Sequence, residues 1–229
     1  MAKSEKYFPI ALILPFFIFL LFGSLEPCFA AGWGTLFTYP AIYSLKIFLT
    51  GAAVFAFWPI LREQFPFHWN RGSVVALLCG ILGTALWVGL AAVPLSIPGL
   101  ASVERAAFNP FDGTAPLFAW GFWTIRMIGL VLVVPVVEEL FLRGFLLRWI
   151  QGENWRSLSV GDLNPTAWAA VLIYAAATHP EILAAVAWFS LVTWFVSRTK
   201  NFWDAVLFHL GTNAGLGVYV LLTGNWFLM

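Results

Sequence analysis

Seven stretches of this chain are apolar over about the length a helix needs to enter or cross a bilayer: residues 8–22, 36–61, 73–93, 115–147, 166–178, 181–197 and 202–223. A hydrocarbon core takes ~20 apolar residues per helix, and an open chain can satisfy its backbone polar groups there only as a helix. Hydrophobic residues make up 61% of the 229 positions and charged residues 10%. Soluble domains carry about 25% charge, so this chain has too little polar surface to cover a globule. The expected fold is all-α, a polytopic membrane helical bundle of about seven transmembrane helices. It reads as one integral membrane unit, with N-terminal transmembrane helices over 1–114 and a second part over 115–229. The bilayer is therefore its first partner. A net charge of +1 argues against nucleic acid.

The flanking cations orient the bundle. Lys3, Lys6, Arg62, Arg71, Arg148, Arg156, Arg198 and Lys200 fall at the N-terminus and in alternate loops, and the opposite loops hold Arg105. That asymmetry puts the N-terminus in the cytoplasm and the C-terminus outside. Lys3 and Lys6, an apolar run and then Cys28-Phe29-Ala30 also resemble a secretory signal with a small-x-small cleavage site. The run is long for a signal core, so an uncleaved first helix is expected, with a loop starting at Glu26-Pro27. Cys28 and Cys79 form neither a disulfide framework nor a zinc-finger pattern.

Ionisable and polar residues inside the apolar segments carry the functional question, because each is costly in hydrocarbon. They are Lys46, Arg126, Glu138, Glu139, Arg143, His179, Glu181, His209 and Asn213. Lys46 and Arg126 read as structural cations that snorkel or pair with an acid. In VVEELFLRG, residues 136–144, Glu139 precedes Arg143 by one α-helical turn, the favourable order for an ion pair. Glu138 is rotated about 100° from Glu139. The expectation is a Glu139–Arg143 brace with Glu138 facing elsewhere, against the alternative of a purely structural pair. His209 and Asn213 share a face of the last segment, among the small residues Gly211, Ala214, Gly215 and Gly217. They form either an interhelical hydrogen bond or an oxyanion-holding pair. His179 lies in ATHPE, where Pro180 suits a helix's first turn and Glu181 its positive end. Counted along the helices, Glu138 and His209 lie roughly 14 and 12 Å deep and His179 roughly 20–26 Å, so His179 is out of level with the others.

A carboxylate and two histidines sheltered from bulk water permit two hydrolytic schemes. In one, Glu138 acts as general base on water with help from His179, and His209 with Asn213 stabilises the oxyanion. In the other, Glu138, His179 and His209 ligate zinc. The absence of an H-E-x-x-H motif and the character of Asn213 favour the metal-free scheme. No serine or cysteine has an evident base partner, which argues against a covalent nucleophile.

Glu138-Glu139-x-x-x-Arg143 resembles the first motif of the CAAX prenyl endoprotease and bacteriocin-processing (CPBP, or Abi) family of intramembrane proteases. His209-x-x-x-Asn213, with its lead-in RTKNFWDAVLFHLGTN, resembles the last motif. His179 matches the histidine of the middle F-x-x-x-H motif, although Ala175 stands where the motif has phenylalanine and Tyr174 lies one position earlier. The resemblance covers about 115–223. It implies a protease core over 115–229, Glu138, His179, His209 and Asn213 as the catalytic set, Glu139 and Arg143 in support, and a C-terminal peptide or protein segment at the membrane as substrate. Eukaryotic members act on prenylated tails. The compact size, with 30 positions from His179 to His209, also resembles a bacterial subgroup associated with exosortase protein-sorting partners.

Two other classes use buried Glu and His. One is a catalytically silent scaffold or immunity-type membrane protein, against which the complete residue set argues. The other is a small proton-coupled transporter, which often shows internal symmetry; none is visible here.

Overall fold

The structure is a computed structural model that describes residues 3–30, 38–93 and 107–229. Arg105, and most of the polar interruption at 94–114, lie outside the described residues. Among the described residues there are seven long helices and no strand. They are α1 (Lys3–Ala30), α2 (Tyr39–Gln64), α3 (Arg71–Ala91), α4 (116–149), α5 (Pro165–Thr178), α6 (Ile182–Thr199) and α7 (Phe202–Thr223). Five of these, α1, α2, α3, α6 and α7, are long and apolar enough to cross a membrane. The chain is an all-α membrane helical bundle, as its hydropathy predicts.

Local chemistry sets the helix ends. Asn70 and Ser73 form a reciprocal capping box at the start of α3. Asn164 caps α5 by accepting from Ala167 N at 2.9 Å, with Pro165 following at the first helical position. Asn201 caps α7 by accepting from Trp203 N. Left-handed residues end the last two helices, Lys200 (φ 52°) for α6 and Gly224 (φ 73°) for α7. α1 continues through Glu26-Pro27 to Ala30, so the expected loop start there is corrected. Glu26, within this helix, is ion-paired with Lys46 of α2.

α4 departs from plain α geometry twice. Gly129–Val133 and Leu140–Leu146 are wider turns with i→i+5 bonding, on either side of the short α-helical stretch Val134–Glu139. Pro135 explains the first, because its ring clashes with the carbonyl four residues back and it has no N–H to donate. At the entry to this turn the Arg126 carbonyl accepts from Tyr43 Oη at 3.2 Å. Beyond the second wide turn, Arg148 Nη1 donates to the Gly144 carbonyl at 3.0 Å.

The chain forms two compact units. The first holds residues 1–67 and 110–141, and the second 68–109 and 142–229. This division cuts across the 1–114 and 115–229 boundary read from sequence, because α3 packs with the C-terminal helices. In the first unit α1 buries Phe8, Ala11, Leu12 and Phe16, with Phe16 stacked on Phe141 at 4.3 Å. Lys46 is buried, sits over the rings of Tyr43 and Phe19 and pairs with Glu26, so its charge is compensated locally. Arg126 is buried too, over the Tyr39 ring.

The second unit is organised by contact of α3 with α7. A Cβ on Gly80 would collide with the Phe208 carbonyl oxygen, and one on Gly211 would come within 2.6 Å of the Leu77 carbonyl oxygen. Backbones meet this closely only where small residues allow it. At the ends of the two helices, Ser73 Oγ donates to the buried Asp204 carboxylate at 3.0 Å, and Asn201 Nδ2 donates to the same oxygen at 2.8 Å. The 150–164 loop docks on the α6–α7 turn through Lys200 and Asp162, 2.7 Å apart. The hydrogen bond from Lys200, with a second from Ser159 N–H, holds the Asp162 carboxyl below its usual range.

Gly80→Ala should lower stability by about 1–3 kcal/mol, as overpacking does, whereas Gly89→Ala, which meets nothing within 4 Å, should be tolerated. Thermal unfolding of both variants in detergent checks the contrast.

Candidate active site

His209 and Asn213 lie one turn apart on α7 in unbroken α geometry, both buried. The shared face read from their spacing is therefore present. Thr212, between them in sequence, fixes the helix against its neighbours. Its Oγ1 donates to the Gly80 carbonyl of α3 at 2.7 Å and accepts from Trp188 Nε1 of α6 at 2.9 Å. Thr84 Oγ1 adds a bond to the Thr212 carbonyl at 3.0 Å. One hydroxyl thus ties three helices together. The indole of Trp188, positioned by this bond, meets the His209 ring edge-on at 4.7 Å.

His179 is the residue just past the end of α5, half-buried and in extended conformation (φ −130°, ψ 132°). Its ring lies 5.1 Å from Phe189 and 5.5 Å from Trp87. Phe189 contacts Trp188 at 4.9 Å, and Trp87 contacts Trp188 at 6.2 Å. The two histidines therefore border one aromatic cluster. The helix after His179 starts at Ile182, with Glu181 as its N-cap residue. Pro180 thus precedes the helix instead of occupying its first turn. Ala175 is fully buried and Tyr174 packs on Phe189 at 5.5 Å, so the aromatic contacts to His179 come from α6 and α3.

Glu138 and Glu139 are both buried, on the short α-helical stretch of α4 between its two wide turns. They belong to the first unit, and Arg143, His179, His209 and Asn213 to the second. The backbone from Leu140 to Leu146 is not α-helical, so the four-residue rule does not fix the relation of Glu139 to Arg143. Arg143 is 1% exposed and donates from Nη2 to Thr193 Oγ1 of α6 at 3.1 Å. That bond anchors the end of α4 to α6. Wide turns of this kind recur at functional sites.

Residues 114–215 match the family model described as type II CAAX prenyl endopeptidase, Rce1-like. This stretch is similar to the Rce1-like family. The chain is an integral membrane protein with one stretch similar to CAAX proteases. No curated protein and no solved structure matches it. The Rce1-like stretch begins before α4 and ends within α7, so it contains Glu138, Glu139, Arg143, His179, His209 and Asn213.

Several residues that shape the Rce1-like stretch were not singled out from sequence. Trp188 is one of 13 tryptophans and Phe189 one of 23 phenylalanines, and composition does not distinguish them. Thr212 and Thr193 are short hydroxyl side chains in apolar helices, where the alternative is a bond to their own backbone. Asp204 carried the clearest signal, an acid next to an apolar helix start. Within the second unit, no three described His, Cys, Asp or Glu side chains come close enough to share a metal ion.

Trp188→Phe keeps a ring against His209 but removes the donor to Thr212. It should cost about 1 kcal/mol, the net worth of one such bond, and appear as a lower melting temperature. Thr212→Val should cost more, since it breaks the bonds to both α3 and α6.

Proposed function

We propose that this chain is an intramembrane endopeptidase that hydrolyses a peptide bond near the membrane interface, in a C-terminal segment of a membrane-associated peptide or protein. The observation that carries the reading is the family match across 114–215, which takes in all four proposed catalytic residues. Glu138 takes a proton from water, assisted by His179, as the water oxygen bonds to the substrate carbonyl carbon. The carbonyl electrons move onto oxygen, and His209 with Asn213 holds that oxyanion by hydrogen bonds. The abstracted proton then passes to the leaving nitrogen as the C–N bond breaks. Burial of Glu138, His209 and Asn213 supports this scheme, because hydrogen bonds to a developing charge are stronger away from water. Glu139 and Arg143 act in support. The cation asymmetry supports an N-terminus in the cytoplasm and a C-terminus outside, and the resemblance to a bacterial subgroup supports a bacterial inner membrane.

Glu138→Gln, His179→Ala and His209→Ala should each slow cleavage by about 100-fold or more while leaving a folded protein. The assay uses the full chain in proteoliposomes with a farnesylated C-terminal CaaX peptide and its unprenylated counterpart. An unchanged rate in any of the three removes that residue from the mechanism. Chelator should leave the wild-type rate unchanged. Loss of activity restored by zinc would instead assign Glu138, His179 and His209 as ligands.

A further inference from the structure

Thr178 immediately precedes His179 at the end of α5. Its Oγ1 lies 2.7 Å from the Tyr174 carbonyl oxygen and 2.8 Å from His179 Nδ1. A threonine hydroxyl has one proton and two lone pairs. If that proton faced Nδ1, two oxygens would oppose each other at 2.7 Å with no hydrogen between them. The Tyr174 carbonyl accepts only, so the proton lies on that side, in the back-bond that threonine commonly makes within a helix. Oγ1 then meets Nδ1 as an acceptor, and Nδ1 carries a proton. In the neutral imidazole the basic lone pair is consequently on Nε2. Phe189 and Trp87 flank the ring at 5.1 and 5.5 Å and restrict its turning away from Thr178.

We propose that Thr178 is a positioning residue that sets the tautomer of His179, holding Nδ1–H so that Nε2 is the unprotonated nitrogen through which the ring assists Glu138. The catalytic half of this proposal rests on the reading of His179 as Glu138's assistant; the tautomer half does not. Thr178 is exposed at the helix end. Exchange for valine keeps its shape and β-branching, and exchange for serine keeps its hydroxyl.

The test is nitrogen NMR of the full chain labelled with 15N-histidine. The sequence has three histidines, and the His179→Ala spectrum identifies the ring in question. Wild type and Thr178→Ser should show a protonated Nδ1 and an unprotonated Nε2. Thr178→Val should move the proton to Nε2, with kcat falling about tenfold at unchanged KM and recovering in Thr178→Ser. A wild-type ring protonated on Nε2, or a tautomer unchanged in Thr178→Val, overturns the proposal. Full peptidase activity of His179→Ala overturns the role of His179 in catalysis instead, and is read separately from the spectrum.

Discussion

The hydroxyl of Thr212 and the bare backbones around it hold the second unit in register. In a bilayer the lipid tails are as apolar as a leucine, so helices gain little by hiding apolar surface from one another. Close packing and interhelical hydrogen bonds remain. α3 and α7 touch at Gly80 and Gly211 with no side chain between their backbones, and Thr212 bonds to both α3 and α6 at that level. Trp188 takes its orientation from this bond. His209 rests on Trp188, and His179 rests on Phe189 and Trp87 beside it. A shift of α7 against α3 would therefore disturb both histidines through one chain of contacts.

The buried charges obey the same economy. Lys46 is compensated by Glu26 and two aromatic rings, Asp204 by Ser73 and Asn201, and Arg148 by the carbonyls of Gly144 and Arg156. Each group has donors or acceptors within its own unit, which makes its burial tolerable. These contacts hold helix ends and helix pairs. The proposed set of Glu138, His179, His209 and Asn213 is what the proposed chemistry requires beyond them.

Much of the fold was legible in the sequence, because twenty-residue apolar runs with polar breaks admit one kind of structure. The seven segments and the shared face of His209 and Asn213 follow from local rules. The partner of α3 was not legible, since it depends on where small residues meet across more than a hundred positions. The wide turns of α4 were missed as well, although Pro135 marks the first of them. An α-helical template for VVEELFLRG left no room for the widening at Leu140–Leu146, nor for Arg143 reaching Thr193 on α6. Counting residues along helices put His179 out of level with Glu138 and His209. Two ring contacts from α6 and α3 settle where that histidine packs, and helical arithmetic has no access to them.

The central proposal is that Glu138 and His179 serve the same step of hydrolysis. A double-mutant cycle tests it most directly, with kcat measured for Glu138→Gln, His179→Ala and the combined variant in the same proteoliposomes. Residues serving one step lose their joint effect together, so the double variant should be no slower than the slower single variant. Losses that multiply would show that the two residues act independently and would contradict the account.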